Sequence, residues 1–134
     1  MPGRWLQISW LLPTAWMVTL YYVLTMEVDP EPPTWAFPHI DKLIHFGLFA
    51  VLAWLWFIPS RWAISLTNRQ AALIGFLIAS FYGGLTEFIQ STLPHRHGNS
   101  WDVLANSVGA ATVFVHALQR RCNTIITFLL GSSK

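Results

Sequence analysis

The sequence predicts an all-α integral membrane protein, a bundle of four transmembrane helices with both termini on the cytoplasmic side. Three observations predict it. Of 134 residues, 54% are hydrophobic and only 10% are charged, whereas a soluble domain carries about 25% charged residues. Apolar runs near the length of a membrane span, about 18 residues, occur four times. Once those runs are drawn as spans, the basic residues separate by side. The length suits one compact unit, so residues 1–134 read as a single membrane domain.

The first span is Trp5–Thr25. Pro13 falls inside it and is expected to kink it, which a membrane bundle tolerates. Arg4 followed by a hydrophobic run also resembles a signal sequence. The run is longer than a signal h-region and no Ala-x-Ala-like site follows, so an uncleaved anchor is expected. The second span is Asp41–Ile58, the third Arg69–Gln90 and the fourth, somewhat short, Trp101–Gln119. At about 1.5 Å per residue each comes close to the ~30 Å hydrocarbon thickness. Thr124–Leu130 is too short to span. The first outer loop, residues 26–39, has four prolines and should be extended.

Lys and Arg prefer the cytoplasmic face. With both ends inside, Arg4, Arg61, Arg69, Arg120, Arg121 and Lys134 are cytoplasmic, and only Lys42 and Arg96 lie outside. All the acids (Glu27, Asp29, Glu31, Asp41, Glu87 and Asp102) then fall on the outer half. The positive-inside rule does not require that, because acids contribute little to it. A net charge of +2 is too small for a nucleic-acid footprint. A single cysteine, Cys122, excludes an intrachain disulfide, and no cysteine-based metal site is in view. No glycine-rich phosphate loop is present, and neither a metal nor a cofactor is expected. His95-x-His97 is only a weak metal signal, two histidines in a loop with no further ligand spacing beside them.

Three helix ends that meet the outer face each bring a polar pair. Asp41 and His45 are four apart and so share a helical face. Asp41 suits a helix N-terminus and Lys42 can snorkel, but His45 lies more than a turn into the span. Ala71, Gly75, Ala79, Gly83 and Glu87 recur at a spacing of four, a small-residue stripe for close packing in lipid. Because a helix turns in 3.6 residues, the stripe drifts. Glu87 closes it with Gln90 beside it, and an ionisable residue inside a span defaults to function. Asp102, Asn106, Gly109 and Ala110 share a face of the fourth span, with Ser100 or Asn99 as its N-cap. Arg96, in the loop between spans three and four, can clamp a carboxylate or phosphate. The pairs are expected to converge on one polar pocket opening outward.

These residues carry a resemblance. Asp41-Lys42-x-x-His45-Phe46, Glu87-x-x-Gln90, Pro94-x-Arg96 and Asp102-x-x-x-Asn106-x-x-Gly109, in that order, resemble the VanZ-like family over residues 39–118. One departure is Val113, where the family often has another small residue. The resemblance implies a small bacterial inner-membrane protein and a link to reduced susceptibility to the glycopeptide teicoplanin.

Three functions compete. In the first, the pocket binds or processes an amphiphilic envelope molecule, a membrane lipid or lipid-linked precursor. Asp41, Lys42, Gln90, Arg96 and Asn106 would bind it, and Glu87, His45 and Asp102 would divide acid and base roles. No Ser or Cys nucleophile is paired with a base. In the second, the same groups form a non-catalytic network that holds a structural or partner-binding bundle. The third, a transporter or proton relay, is disfavoured because the polar residues stop at the outer half.

Overall fold

The structure, a computed structural model, describes residues 8–27, 39–94 and 98–118. Its helices are α1 (Leu11–Thr25), α2 (Ile40–Trp62), α3 (Asn68–Thr92) and α4 (Ser100–Ala111), and no strand occurs among the described residues. α2, α3 and α4 pack against one another, and α1 packs on α2 and α3.

The helix limits depart from the sequence expectations in three places. In the described part of the first span Ile8 is helical, Ser9 and Trp10 form a turn, and α1 starts at Leu11. Pro13 therefore sits in the first turn of α1, directly after an interruption in the helical run. Its missing N–H is one of the donors a helix start leaves unpaired anyway. α2 does not stop at Ile58 but continues through Pro59 to Trp62, and Ala63 N–H bonds the Pro59 carbonyl at 2.7 Å. The fourth span is not continuous over 101–119. α4 ends at Ala111, Thr112 is a turn, and residues 113–118 are helical again. Thr112 turns back on Gly109, whose carbonyl accepts from both Thr112 N–H at 3.1 Å and Thr112 Oγ1–H at 2.7 Å. This competition of a Thr side chain with the backbone ladder is a known source of helix distortion.

α3 starts with a capping box. Gln70 N–H donates to Thr67 Oγ1 at 3.3 Å, and Thr67 N–H donates to Gln70 Oε1 at 3.1 Å.

The small-residue stripe of α3 is buried throughout, from Ala71 through Gly75, Ala79 and Gly83 to Glu87. Its drift serves two neighbours. At Gly75 a side chain would run into the backbone carbonyl of Ala53 on α2, whereas at Gly83 it would meet Asn106 of α4. Gly109 lets α4 approach α2 equally closely, since a Cβ there would overlap the carbonyl of Phe46. The core around these crossings is Leu20, Phe49, Leu52, Ala53, Ala79, Ala110 and Val113, all fully buried. Val113 thus takes up core volume at the position where a small residue was the expectation, directly after the Thr112 turn.

α2 and α3 are long and apolar enough to cross a membrane, by length and composition. α1 and α4 are shorter, so the four spans read from the sequence are not all matched by long regular helices. Phe81 and Phe88 on α3 are 76% and 67% exposed. A hydrocarbon solvent accommodates such large apolar groups on the outside of a bundle.

Candidate functional site

One end of the bundle gathers the polar residues. There the C-terminal ends of α1 and α3 meet the N-terminal ends of α2 and α4. α2 begins after His39, which adopts a left-handed φ of 67°. Asp41 and Lys42 lie in its first turn, and Lys42 Nζ is 2.8 Å from Asp41 Oδ2 and 3.3 Å from Asp102 Oδ1. Asp41 is exposed, whereas Asp102 is buried in the first turn of α4. Lys42 therefore ties the start of α2 to the start of α4. α4 itself is capped by Asn99, whose Oδ1 accepts from Trp101 N–H at 3.0 Å.

One turn deeper, His45 and Asn106 are both buried, and His45 Nδ1–H donates to Asn106 Oδ1 at 3.0 Å. Asn106 Nδ2–H reaches the Gly83 carbonyl at 3.4 Å. That carbonyl can only accept, which orients the amide and leaves its oxygen for the imidazole. In a neutral ring Nε2 is then the acceptor nitrogen. A Cβ at Gly83 would lie 2.8 Å from the Asn106 Cβ. A side chain at 83 would thus displace the group that His45 binds.

Glu87 and Gln90 are also buried, but they turn to different partners. Glu87 Oε1 accepts the backbone N–H of Asn99, so a carboxylate from α3 sits at the N-terminal end of α4. The helix dipole and its unpaired N–H groups favour an acid at that place. Gly98 permits the approach, because a Cβ there would come within 2.6 Å of the Ser91 Cβ at the end of α3. Gln90 Nε2 donates to the Leu24 carbonyl at 2.8 Å and holds the end of α1.

The predicted pairs are therefore joined across helices more than within them. Asp41 and His45 share a side of α2, yet one is at the surface and the other against α4. Arg96 and the His95-x-His97 pair lie outside the described residues. No cluster of three or more metal-ligating side chains occurs among the described residues. Beside the polar end, α2 and α4 leave an open groove of about 310 Å³, with Lys42 at its head and Leu43, Phe46, Trp101, Leu104 and Val108 along it.

Two contacts at α1 had no sequence signal. Trp16 Nε1–H donates to the Leu48 carbonyl at 3.1 Å, and Tyr82 Oη–H donates to the Met17 carbonyl at 2.7 Å. The Asn99 contribution to Glu87 was also illegible, because a backbone N–H makes it and any residue type supplies one.

The VanZ/LLP1 family model matches residues 2–121. The chain belongs to the VanZ/LLP1 family. With two helices of spanning length, VanZ/LLP1 membership points to a membrane protein. The chain is similar to the "Uncharacterized protein C11E3.10" of Schizosaccharomyces pombe (strain 972 / ATCC 24843), with 32% identity over 80 residues. The match covers 59% of this chain and 47% of that protein, so this chain spans about half the length of its curated relative. No solved structure matches.

Proposed function

We propose that this VanZ/LLP1 protein is a multi-pass protein of a bacterial inner membrane, with both termini cytoplasmic. Its polar helix ends face outward and bind or process an amphiphilic envelope molecule, a membrane lipid or lipid-linked precursor, at the outer leaflet. The groove between α2 and α4 carries this reading. Its walls are apolar and open at the surface, and Lys42 stands at its head beside Asp41 and Asp102. An apolar tail fits along Phe46, Leu104 and Val108, and a charged headgroup meets Lys42, with Arg96 as a second cation from the adjoining loop. Glu87, His45 and Asp102, buried at the same end of the bundle, would divide the acid and base roles at such a headgroup. Carboxylates and an imidazole, with no Ser or Cys nucleophile paired to a base, suit proton transfer more than covalent attack. Through an envelope molecule of this kind the protein would alter glycopeptide susceptibility.

The experiment compares lipids that copurify with the wild type and with Lys42→Gln, alongside teicoplanin susceptibility of cells expressing each, and repeats both with Glu87→Gln. Loss of one amphiphile and of the phenotype at unchanged protein level supports the reading. Unaltered lipids and susceptibility in both variants would sink it.

A second reading has its own support. His45 with Asn106, Gln90 with Leu24 and Glu87 with Asn99 satisfy one another across helices. On this reading the set is a non-catalytic network that holds a structural or partner-binding bundle. Polar contacts between membrane helices average only ~0.6 kcal/mol, so this glue is weak per bond. It requires that alanine variants at His45, Gln90, Asp102 and Asn106 all lose thermal stability. Stable variants without activity count against it.

A further inference from the structure

The opposite end of the bundle carries a second groove, independent of the polar cluster. It lies between α3 and the helical residues 113–118, has a volume of about 390 Å³, and is lined by Leu73, Phe114, Ala117 and Leu118 with Arg69 at its mouth. Ala117 is buried and forms the floor, while Leu73 and Leu118 are exposed rims. Phe76 packs on Phe114 at 5.4 Å between ring centroids and stiffens one wall.

Three features give this groove a charge preference. Arg69 is exposed and has no hydrogen-bond or ion-pair partner among the described residues, unlike Arg61, which donates to Asn68 Oδ1 at 2.7 Å and lies over the Trp62 ring. The first turn of α3 contains no acid, so the positive end of its dipole is offset only by the neutral Thr67–Gln70 box. None of the acidic side chains among the described residues lies in α3 near Arg69 or in residues 113–118. A cation at a helix N-terminus is unfavourable by itself, and an anion beside it removes that penalty. Basic pockets between membrane helices on the cytoplasmic side are suited to anionic lipid headgroups.

We propose that this groove is a binding site for an anionic phospholipid of the leaflet opposite the polar cluster. One acyl chain lies on Leu73, Phe114, Ala117 and Leu118, and the phosphate pairs with Arg69. A zwitterionic phospholipid brings a cation to the same place and is held less well.

The test reconstitutes the full chain in nanodiscs containing a phosphatidylglycerol with a photoreactive acyl chain, or the corresponding phosphatidylcholine. Crosslinked peptides are mapped. Adducts on the Leu73 and 113–118 peptides should favour phosphatidylglycerol. Arg69→Gln should lower that yield about fivefold, the effect of one cation near the membrane surface, and Arg69→Lys should keep most of it. Leu118→Trp, which fills the groove and leaves the charge, should lower the yield for both lipids. Equal yields for the two lipids, no change in Arg69→Gln, or an equal loss in Arg61→Gln would each overturn the proposal. Because adducts are read by position, lipid in the α2–α4 groove does not enter the result.

Discussion

Gly109 and Gly47 separate close packing from helix propensity. A Cβ at Gly109 would overlap the Phe46 backbone, whereas at Gly47 and Gly84 it meets nothing within 4 Å. Gly109→Ala must push α4 off α2, and overpacking of this kind costs about 1–3 kcal/mol. Its thermal midpoint in detergent should fall. Gly47→Ala and Gly84→Ala should be neutral or gain up to about 1 kcal/mol from helix propensity. The His45–Asn106 bond permits a sharper experiment. Asn106→Leu leaves the buried imidazole without its partner, a loss of about 1–3 kcal/mol. The Gly83 carbonyl stays satisfied, because Thr86 Oγ1–H donates to it at 3.0 Å. His45→Leu combined with Asn106→Leu removes both partners and should recover most of the stability. If the double variant is stable yet loses the lipid and susceptibility phenotypes, these residues serve a ligand and not merely the bundle. Recovery of both would favour the structural reading.

At the scale of elements, the two ends of α3 have different duties. Its start is closed by its own Thr67 and Gln70, so Thr67→Ala should cost about 1 kcal/mol with no effect on lipid selection at the polar end. Its far end holds neighbours, through Gln90 to α1 and through Glu87 to the start of α4. Gln90→Leu should leave α2–α4 packed and loosen α1 alone. Faster labelling of a cysteine placed at Met26, with an unchanged thermal midpoint for the rest of the bundle, is the expected result. α4 is the element that periodicity describes least well. Residues 101–119 keep an apolar pattern across Thr112, and nothing in that pattern announces the turn. It follows from the Thr112 hydroxyl bonding the Gly109 carbonyl where α4 is pressed against α2.

For the whole molecule, the asymmetry of charge implies a direction in the membrane. In a background with Cys122→Ser, a cysteine at Glu27 should react with an impermeant maleimide from outside intact cells. One at Ser65 should react only after the membrane is opened. Labelling of both from the same side would overturn the topology, and with it the assignment of the polar cluster to the outer leaflet.

Periodicity and charge were enough to read helices near α2 and α3, the small-residue face of α3, and the polar set at one end. Each of these is a one-dimensional pattern: an apolar run, a spacing of four, or a charge on one side of a span. The partners of the polar groups were not legible. Asp41 and His45 have the right spacing to act as a pair, yet His45 meets Asn106, 61 residues away, and Gln90 meets Leu24. Those choices depend on how closely Gly75, Gly83 and Gly109 let the helices approach, and a backbone carbonyl or N–H as partner leaves no mark in residue type. The composition and its apolar runs pointed to a helical chain of membrane character. Only the packing decided which polar groups close on each other, and set Lys42, with its two carboxylate partners, and Arg69 each at the head of a groove.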